Sequence, residues 1–443
     1  MKRTIAITAA TLTCLLLLTG FFLLWQHGHK LNGALEYSLV ITELVLFAML
    51  GIRFMPRWFE AWSNKPSIDT TRAKSSRELL PVLLMLIGFG VLMHFTVKFV
   101  SLFTDISRDV LRAADTNHYL DIAENWYRSE GTRDELVRLV FFPLYPLLIK
   151  LFQLYPAFDS FKAALAVSFV CFIGAGLYLY LLARIDLKVS AARRVLKYFL
   201  ILPGSFFYLC AMTESLFVLL CAACLYYTRK QHYLLACITA AFAAFTRAPG
   251  IILFAPVCFE MVRSVIVSEP GTRKGAALKL LMLLIIPLGL IAYMVINYTV
   301  SGSFTQFLTY EHEHWGQHLD WFFSTVRYQL SYALGWFRSG DKAGAITLWG
   351  ANLISQFSAL VIMIFAVKKL RPSYTAFFIA YFVITMGASW LLSAPRYLCA
   401  CVTLPFALAY ITKRRRADNV LTVLCAVCSL MYFIAYLKGM PVY

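Results

Sequence analysis

Apolar runs of bilayer-crossing length follow one another along most of this chain, and charge is confined to the short stretches between them. A helix needs roughly 20 apolar residues to cross a bilayer. Successive runs cover 4–25, 36–54, 79–103, 161–183, 195–211, 214–229, 233–248, 250–267, 278–299, 344–367, 373–392, 396–412 and 419–437. Composition agrees. Hydrophobic residues make up 60% of the 443 and charged residues only 14%, whereas soluble domains average about 45–50% apolar. So little charge cannot cover a water-facing surface. The expected fold class is an all-α polytopic membrane protein with about 13 transmembrane helices.

The opening MKRTIAITAATLTCLLLLTGFFLLW has the basic tip and apolar run of a signal peptide. No small-x-small cleavage site follows before Trp25, so it is read as a retained first span. The formal net charge is +18. Its sources are short basic clusters between spans: Lys2 and Arg3; Arg53 to Arg77; Arg184 to Lys197; Arg229 and Lys230; Arg263 to Lys274; Lys368 to Arg371; Lys413 to Arg416. All fall on one side of a bilayer if the N-terminus is cytoplasmic, as the positive-inside rule requires. The localisation expected is a multi-pass protein of the plasma or inner membrane. Nucleic acid is not an expected partner, because no patterned basic and aromatic surface accompanies the charge. Nearly all of the eleven cysteines lie inside apolar runs. Cys221 and Cys224 form a CxxC, but within a helix of this kind they read as small hydrophobes.

This topology sends the informative polar groups to one face, outside the cytoplasm. The first external loop, 104–140, contains RAADTNHYLDIAENWY from Arg112 and runs into VFFPLYPLL. Asp115, His118, Tyr119 and Ile122 share one face if 116–128 is helical. Asp115 either presents its carboxylate for chemistry or caps that helix. Pro143 and Pro146 interrupt regular hydrogen bonding, so 139–154 is a short re-entrant or partly buried segment, or else an ordinary kinked helix.

The second loop, 300–343, carries Glu311, His312, Glu313, His314, His318 and Asp320. Three readings stand for it: a metal site, a contact with sugar, or an ordinary wet entry cleft. Glu214 and Arg247 each lie between apolar stretches at the same face. They either pair with one another or line a cavity where Arg247 meets an anion. Arg396, in SAPRY, either snorkels to headgroups or contacts a ligand.

Taken in order, DTNHY, FFPLYPLLI, PGSFFY with TESLF, FTRAPG, and SAPRY with a later Leu-Pro resemble the PIG-V-like glycosyltransferases. These are relatives of GPI mannosyltransferase 2 within the multi-span GT-C superfamily. The resemblance covers about residues 108–410. It implies a GT-C-like fold and an inverting transferase acting on the non-cytoplasmic side. The implied donor is a polyprenyl-phosphate sugar. The implied base is the loop carboxylate, here Asp115, beside His118 and Tyr119. The acidic position of the family's TES motif falls on Glu214. Its arginine before Pro-Gly falls on Arg247, and that of its PRY on Arg396. The chain departs from the family pattern in two places. Ala114 stands where an aromatic residue usually precedes the aspartate, and two additional spans precede the loop.

The sequence therefore predicts an enzyme that moves a hexose, with mannose as the family's sugar, from a polyprenyl-phosphate donor. The acceptor is a glycolipid, an envelope polymer or a protein. Asp115 is the catalytic candidate. Arg396 and Arg247 are the donor-phosphate ligands. His118, Tyr119 and Glu214 support them. No cofactor or obligatory metal is expected, because the loop holds no DxD-like pair. The organisation expected is 1–78 as added spans and a basic linker, 79–412 as the catalytic core, and 413–443 as a basic turn and last span. A lipid or solute transporter is the alternative, since transporters also use broken helices and intramembrane charges.

Overall fold

The computed structural model describes residues 33–63, 76–103, 108–112, 115–128, 131 and 137–443, together with Thr19 and Phe22. The expected first span at 4–25 and the middle of the basic linker lie outside these residues, as do Ala113 and Ala114. The protein is all-helical. Among the described residues the only strand-like feature is an isolated antiparallel bridge between Leu319 and Ala388.

Seven helices among the described residues are long and apolar enough to cross a membrane: Ala34–Trp62, Glu78–Phe103, Ser160–Asp186, Ala248–Val267, Pro270–Ser301, Lys342–Ala366 and Arg415–Leu437. Two shorter apolar helices, Tyr233–Thr246 and Pro372–Met386, accompany them. The chain is thus a multi-pass membrane protein. The helix Ser160–Asp186 shows how sequence sets such an element. Asp159 accepts a hydrogen bond from the Lys162 amide at 2.7 Å and so caps its start. Its 27 residues extend about 40 Å at 1.5 Å each, enough for a hydrocarbon core of about 30 Å. At its end Asp186 pairs with Arg229 through both terminal guanidinium nitrogens.

Close backbone approach sets the packing at two places. A Cβ on Gly289 would lie 1.9 Å from the Ala241 carbonyl oxygen, and one on Gly250 would lie 2.2 Å from the Ala243 carbonyl carbon. Only glycine lets these backbones meet. The main core joins side chains such as Phe172, Tyr208, Phe217, Phe377 and Phe382. A second cluster, around Tyr119, Ile122, Phe141 and Tyr145, sits under the first loop.

Two expected spans are broken. The run 195–211 divides into a helix Val189–Ile201 and a 3₁₀ turn Ser205–Leu209. Pro203 forces Leu202 out of the helical region to ψ 141°, and Gly204 turns the chain at φ +88°. The run 396–412 divides into Ala394–Cys399 and Leu404–Ile411. Apolar composition alone does not reveal such breaks. The 139–154 segment becomes a 3₁₀ turn, Val137–Val140, and a nine-residue helix, Leu144–Phe152. Nine residues rise about 14 Å and cannot cross. Tyr145 pins this helix to its neighbour by hydrogen bonds to Ala164 at 2.9 Å and Ser168 at 2.7 Å.

Candidate functional site

The first loop forms a helix, Thr116–Asn125, shorter than the expected 116–128 and closed by Trp126 at φ 61°. Thr116 donates to the Ala211 carbonyl at 3.2 Å, tying the helix start beside Glu214. Asp115 occupies the N-cap position, yet its side chain makes no capping bond. The capping alternative is thereby corrected. The carboxylate instead accepts a hydrogen bond from Arg396 Nη1 at 3.0 Å.

That contact belongs to a chain of four charges. Glu214 begins the helix Glu214–Arg229, where the helix dipole favours a carboxylate. Its Oε1 accepts from Arg396 Nε at 2.5 Å and from Arg247 Nη1 at 2.6 Å. The Glu214 side chain is 0% exposed, Arg396 7%, Arg247 13% and Asp115 36%. Burial therefore falls away from Glu214, and the network opens at Asp115. Two carboxylates and two guanidiniums cancel formally, which is what allows four charges so deep in an apolar protein. Rings cover the cations: Arg247 lies 5.1 Å from the Tyr397 ring centroid and Arg396 5.5 Å from that of Phe207.

Local sequence explains each placement. Arg247 ends the helix Tyr233–Thr246 in extended conformation, and the Ala-Pro-Gly after it turns the chain into a 3₁₀ segment. Pro395 starts the short helix that carries Arg396. The bland pairing of Glu214 with Arg247 is present, and Arg396 is its third member.

The network borders a cavity of about 550 Å³, within the usual range for small-molecule sites. Asp115, Tyr119, Arg247, Arg396 and Tyr397 line it together with Glu311, His312, Gln317 and His318. Phe141, Phe142, Phe307 and Ile384 supply apolar wall. Tyr119 is buried edge-on against Phe141 and Tyr145, and burial raises its phenol well above the usual range. His118 does not line the cavity; its ring stacks on Phe141 at 4.5 Å. Asp121, on the other side of the same helix, pairs with Arg138 at 2.7 Å.

The second loop resolves into distinct roles. Asp320 accepts from the Trp321 amide and from Ser324 Oγ, both at 2.6 Å, at the start of the next helix. His314 packs edge-on against Tyr310. Among the described residues no group of three or more His, Cys, Asp or Glu side chains could hold a metal ion, so the metal alternative has no ligand set there. Glu311 faces the cavity, and burial pushes its carboxyl up to about 7. Phe141, Phe142 and Thr385 were not singled out as cavity residues in the sequence. The first two stood in a motif, FFPLYP, read for its prolines and for the family resemblance and not for its aromatic rings.

Compared with known proteins, the chain finds no match: no family model, no curated protein and no solved structure matches it. What fold and site define is a polytopic all-α membrane protein with a charged cavity, fed by residues from several spans and two loops.

Proposed function

We propose that the chain is an inverting glycosyltransferase that moves a hexose, mannose in the first instance, from a polyprenyl-phosphate sugar to a hydroxyl acceptor. The observation that carries this reading is the pair of arginines. Arg247 and Arg396 are fixed by one carboxylate oxygen and border a cavity of about 550 Å³ that also holds carboxyl groups. A departing phosphate gains negative charge, and preorganised guanidiniums stabilise that charge. Each guanidinium carries five N–H donors. Arg247 commits only Nη1 to Glu214, so it keeps donors for an anion. A carboxylate must take the acceptor proton, and the cavity has two candidates, Asp115 and Glu311. The apolar wall suits the first units of a polyprenyl tail and the non-polar face of a sugar.

The reading includes a GT-C-like architecture of about 13 spans, with the two loops outside the cytoplasm. The alternation of basic clusters supports that orientation. The acceptor class is a glycolipid, envelope polymer or protein at that surface. The test uses the full chain in proteoliposomes with radiolabelled polyprenyl-phosphate mannose and octyl mannoside. Label appearing in octyl mannoside supports the proposal. Donor crossing the bilayer without transfer makes the protein a transporter and overturns it.

A further inference from the structure

The span Ala34–Trp62 carries a carboxyl that the charged cavity does not use. Glu36, Val40, Glu43 and Leu50 are buried, and their spacing puts them on one face of that helix. Glu43 is 0% exposed. Among the described residues neither of its carboxyl oxygens has a hydrogen-bond partner, and no charged side chain acts on it. The charged groups on the same face or near it are spent elsewhere. Ser331 Oγ donates to Glu36 Oε1 at 2.9 Å, and Arg53 Nη1 donates to the Ile364 carbonyl at 3.1 Å.

Contacts on both sides of Glu43 show what lies level with it. The Glu36–Ser331 bond is on one side, and on the other the Phe47 and Phe322 rings stand 4.5 Å apart. The helix Ser324–Ser339 therefore runs antiparallel to the span. Glu43 is seven residues from Glu36 and four from Phe47, and Thr325 is six from Ser331 and three from Phe322. Glu43 is thus level with Thr325 and within about one turn of Gln329. The Arg53–Ile364 bond sets the helix Ala351–Ala366 alongside. That helix brings Gln356 to the same level, where Thr325 Oγ1 donates to Gln356 Oε1 at 3.4 Å and Gln356 Nε2 to Gln329 Oε1 at 3.2 Å. All three polar side chains are 0% exposed, and Gln329 Nε2 has no partner.

A carboxylate buried without a counter-charge is costly in a membrane protein. One amide N–H₂ does not offset a full negative charge, whereas a bound cation does. Thr325 Oγ1 donates to the Phe322 carbonyl at 2.8 Å, so its lone pairs stay open. With Gln356 Oε1 and the two oxygens of Glu43, three helices offer four oxygen ligands, the donor type that hard cations take. One carboxylate balances one positive charge, so the fitting ion is monovalent.

We propose that Glu43, Thr325 and Gln356 form an intramembrane site for a small monovalent cation, Na⁺ or a proton, with Gln329 bonded to the Glu43 carboxyl. The site joins the span Ala34–Trp62 to the helix that frames the charged cavity. Asn352, one turn before Gln356, donates to the Leu391 carbonyl at 3.1 Å and accepts from the Ala394 amide at 2.9 Å, two residues ahead of Arg396. The inference is independent of the transferase reading.

The test uses the purified full chain in detergent and dicyclohexylcarbodiimide, which couples to protonated carboxyls in apolar surroundings. Labelled peptides are mapped by mass spectrometry between about pH 5 and 9, in sodium chloride or choline chloride of equal ionic strength. Wild type should be labelled at Glu43, and the label should fall as pH rises. Protection by Na⁺ but not by choline at fixed pH identifies sodium as the ion, and equal labelling in the two salts identifies the proton. Glu43→Gln should lose the label. Glu36→Gln should keep the wild-type pattern, because its hydroxyl partner Ser331 lies outside the site. In the sodium case Gln356→Leu should keep the label and lose the protection.

Unfolding temperature is the second readout, since a ligand bound only by the folded state raises it. Wild type should respond to Na⁺ or to pH more than Glu43→Gln does, and Glu43→Leu serves should Glu43→Gln not fold. Labelling of Glu43 that neither pH nor Na⁺ alters overturns the proposal, because the carboxyl then keeps one proton as fixed structure. Absence of label, with unfolding temperatures that move in parallel in wild type and variant, overturns it as well.

Discussion

Arg396 Nη1 stands 3.0 Å from Asp115 Oδ2 across 281 positions of sequence. The same guanidinium reaches Glu214 through Nε, so one side chain ties the first loop to the membrane-buried carboxylate. The consequences of that junction can be measured.

Arg247→Lys and Arg396→Lys should each weaken donor use. Lysine keeps the charge but loses the forked donors. A charge-assisted hydrogen bond contributes about 1.5–3 kcal/mol, which corresponds to a rise in donor KM of about 10- to 100-fold. Arg371→Lys is the control, because Arg371 approaches Glu260 and Asp186 one helix length away. Steady-state kinetics with varied donor decide it; three equal KM values would mean the cavity arginines hold only structure.

Glu214→Gln should be unstable. It leaves Arg396 paired with Asp115 and takes away the carboxylate partner of Arg247, and an uncompensated buried charge costs about 3–5 kcal/mol. Thermal unfolding of the purified protein in detergent should show the loss. The double variant Glu214→Gln with Arg247→Gln restores the balance of charge and should regain part of it.

Gly250→Ala tests the turn that follows Arg247. Its Cβ would lie 2.2 Å from the Ala243 carbonyl carbon, and backbone cannot step aside as a flexible side chain can. Overpacking of this kind costs about 1–3 kcal/mol. A lower unfolding temperature, with donor KM raised because Arg247 moves, is the expected result.

Glu311 gives a pH signature in stability that is independent of any transfer. Burial raises its folded carboxyl from 4.5 to about 7, so the folded state holds the proton more tightly than the unfolded chain. The stabilisation tied to that proton is present below pH 4.5 and is lost as pH rises through about 7. Relative to Glu311→Gln, wild type should lose unfolding temperature over that window and then level off. Parallel curves from pH 4 to 9 would place the carboxyl in water.

Ser339→Cys should react with an impermeant maleimide added outside intact cells, and Arg414→Cys only after permeabilisation. Both native side chains are exposed. The reverse pattern would invert the topology and remove the lipid-phosphate donor from the site.

The long helices were legible in the sequence because hydrophobic length is read directly against bilayer thickness. Asp115, Glu214, Arg247 and Arg396 also stood out, since an ionisable group between apolar runs needs a partner. The Glu214–Arg247 pair was among the readings and is present, but that Arg396 joins it and reaches Asp115 was not legible. Asp115 also read as a helix cap, and only the fold shows its carboxylate turned to Arg396. His118 read as a site residue because it shares a helix face with Asp115, but Phe141 captures its ring. Glu311 was hidden among five neighbouring polar residues, because exposure within a wet loop has no sequence period. The breaks at Gly204 and after Cys399 were missed because Leu, Phe and Cys around them stay apolar while the backbone turns.

The order of synthesis acquires a meaning from the shared oxygen of Glu214. Asp115, Glu214 and Arg247 leave the ribosome well before Arg396, and domains are laid down N-terminus first. A nascent chain that ends ahead of residue 396 can pair Glu214 with Arg247 but lacks the arginine that binds Asp115. Arrival of the PRY segment closes the loop and the bilayer core in one event. Chains stalled before that point should be open at the first loop and cleared by membrane proteases, whereas chains released just after Cys399 should already hold it shut.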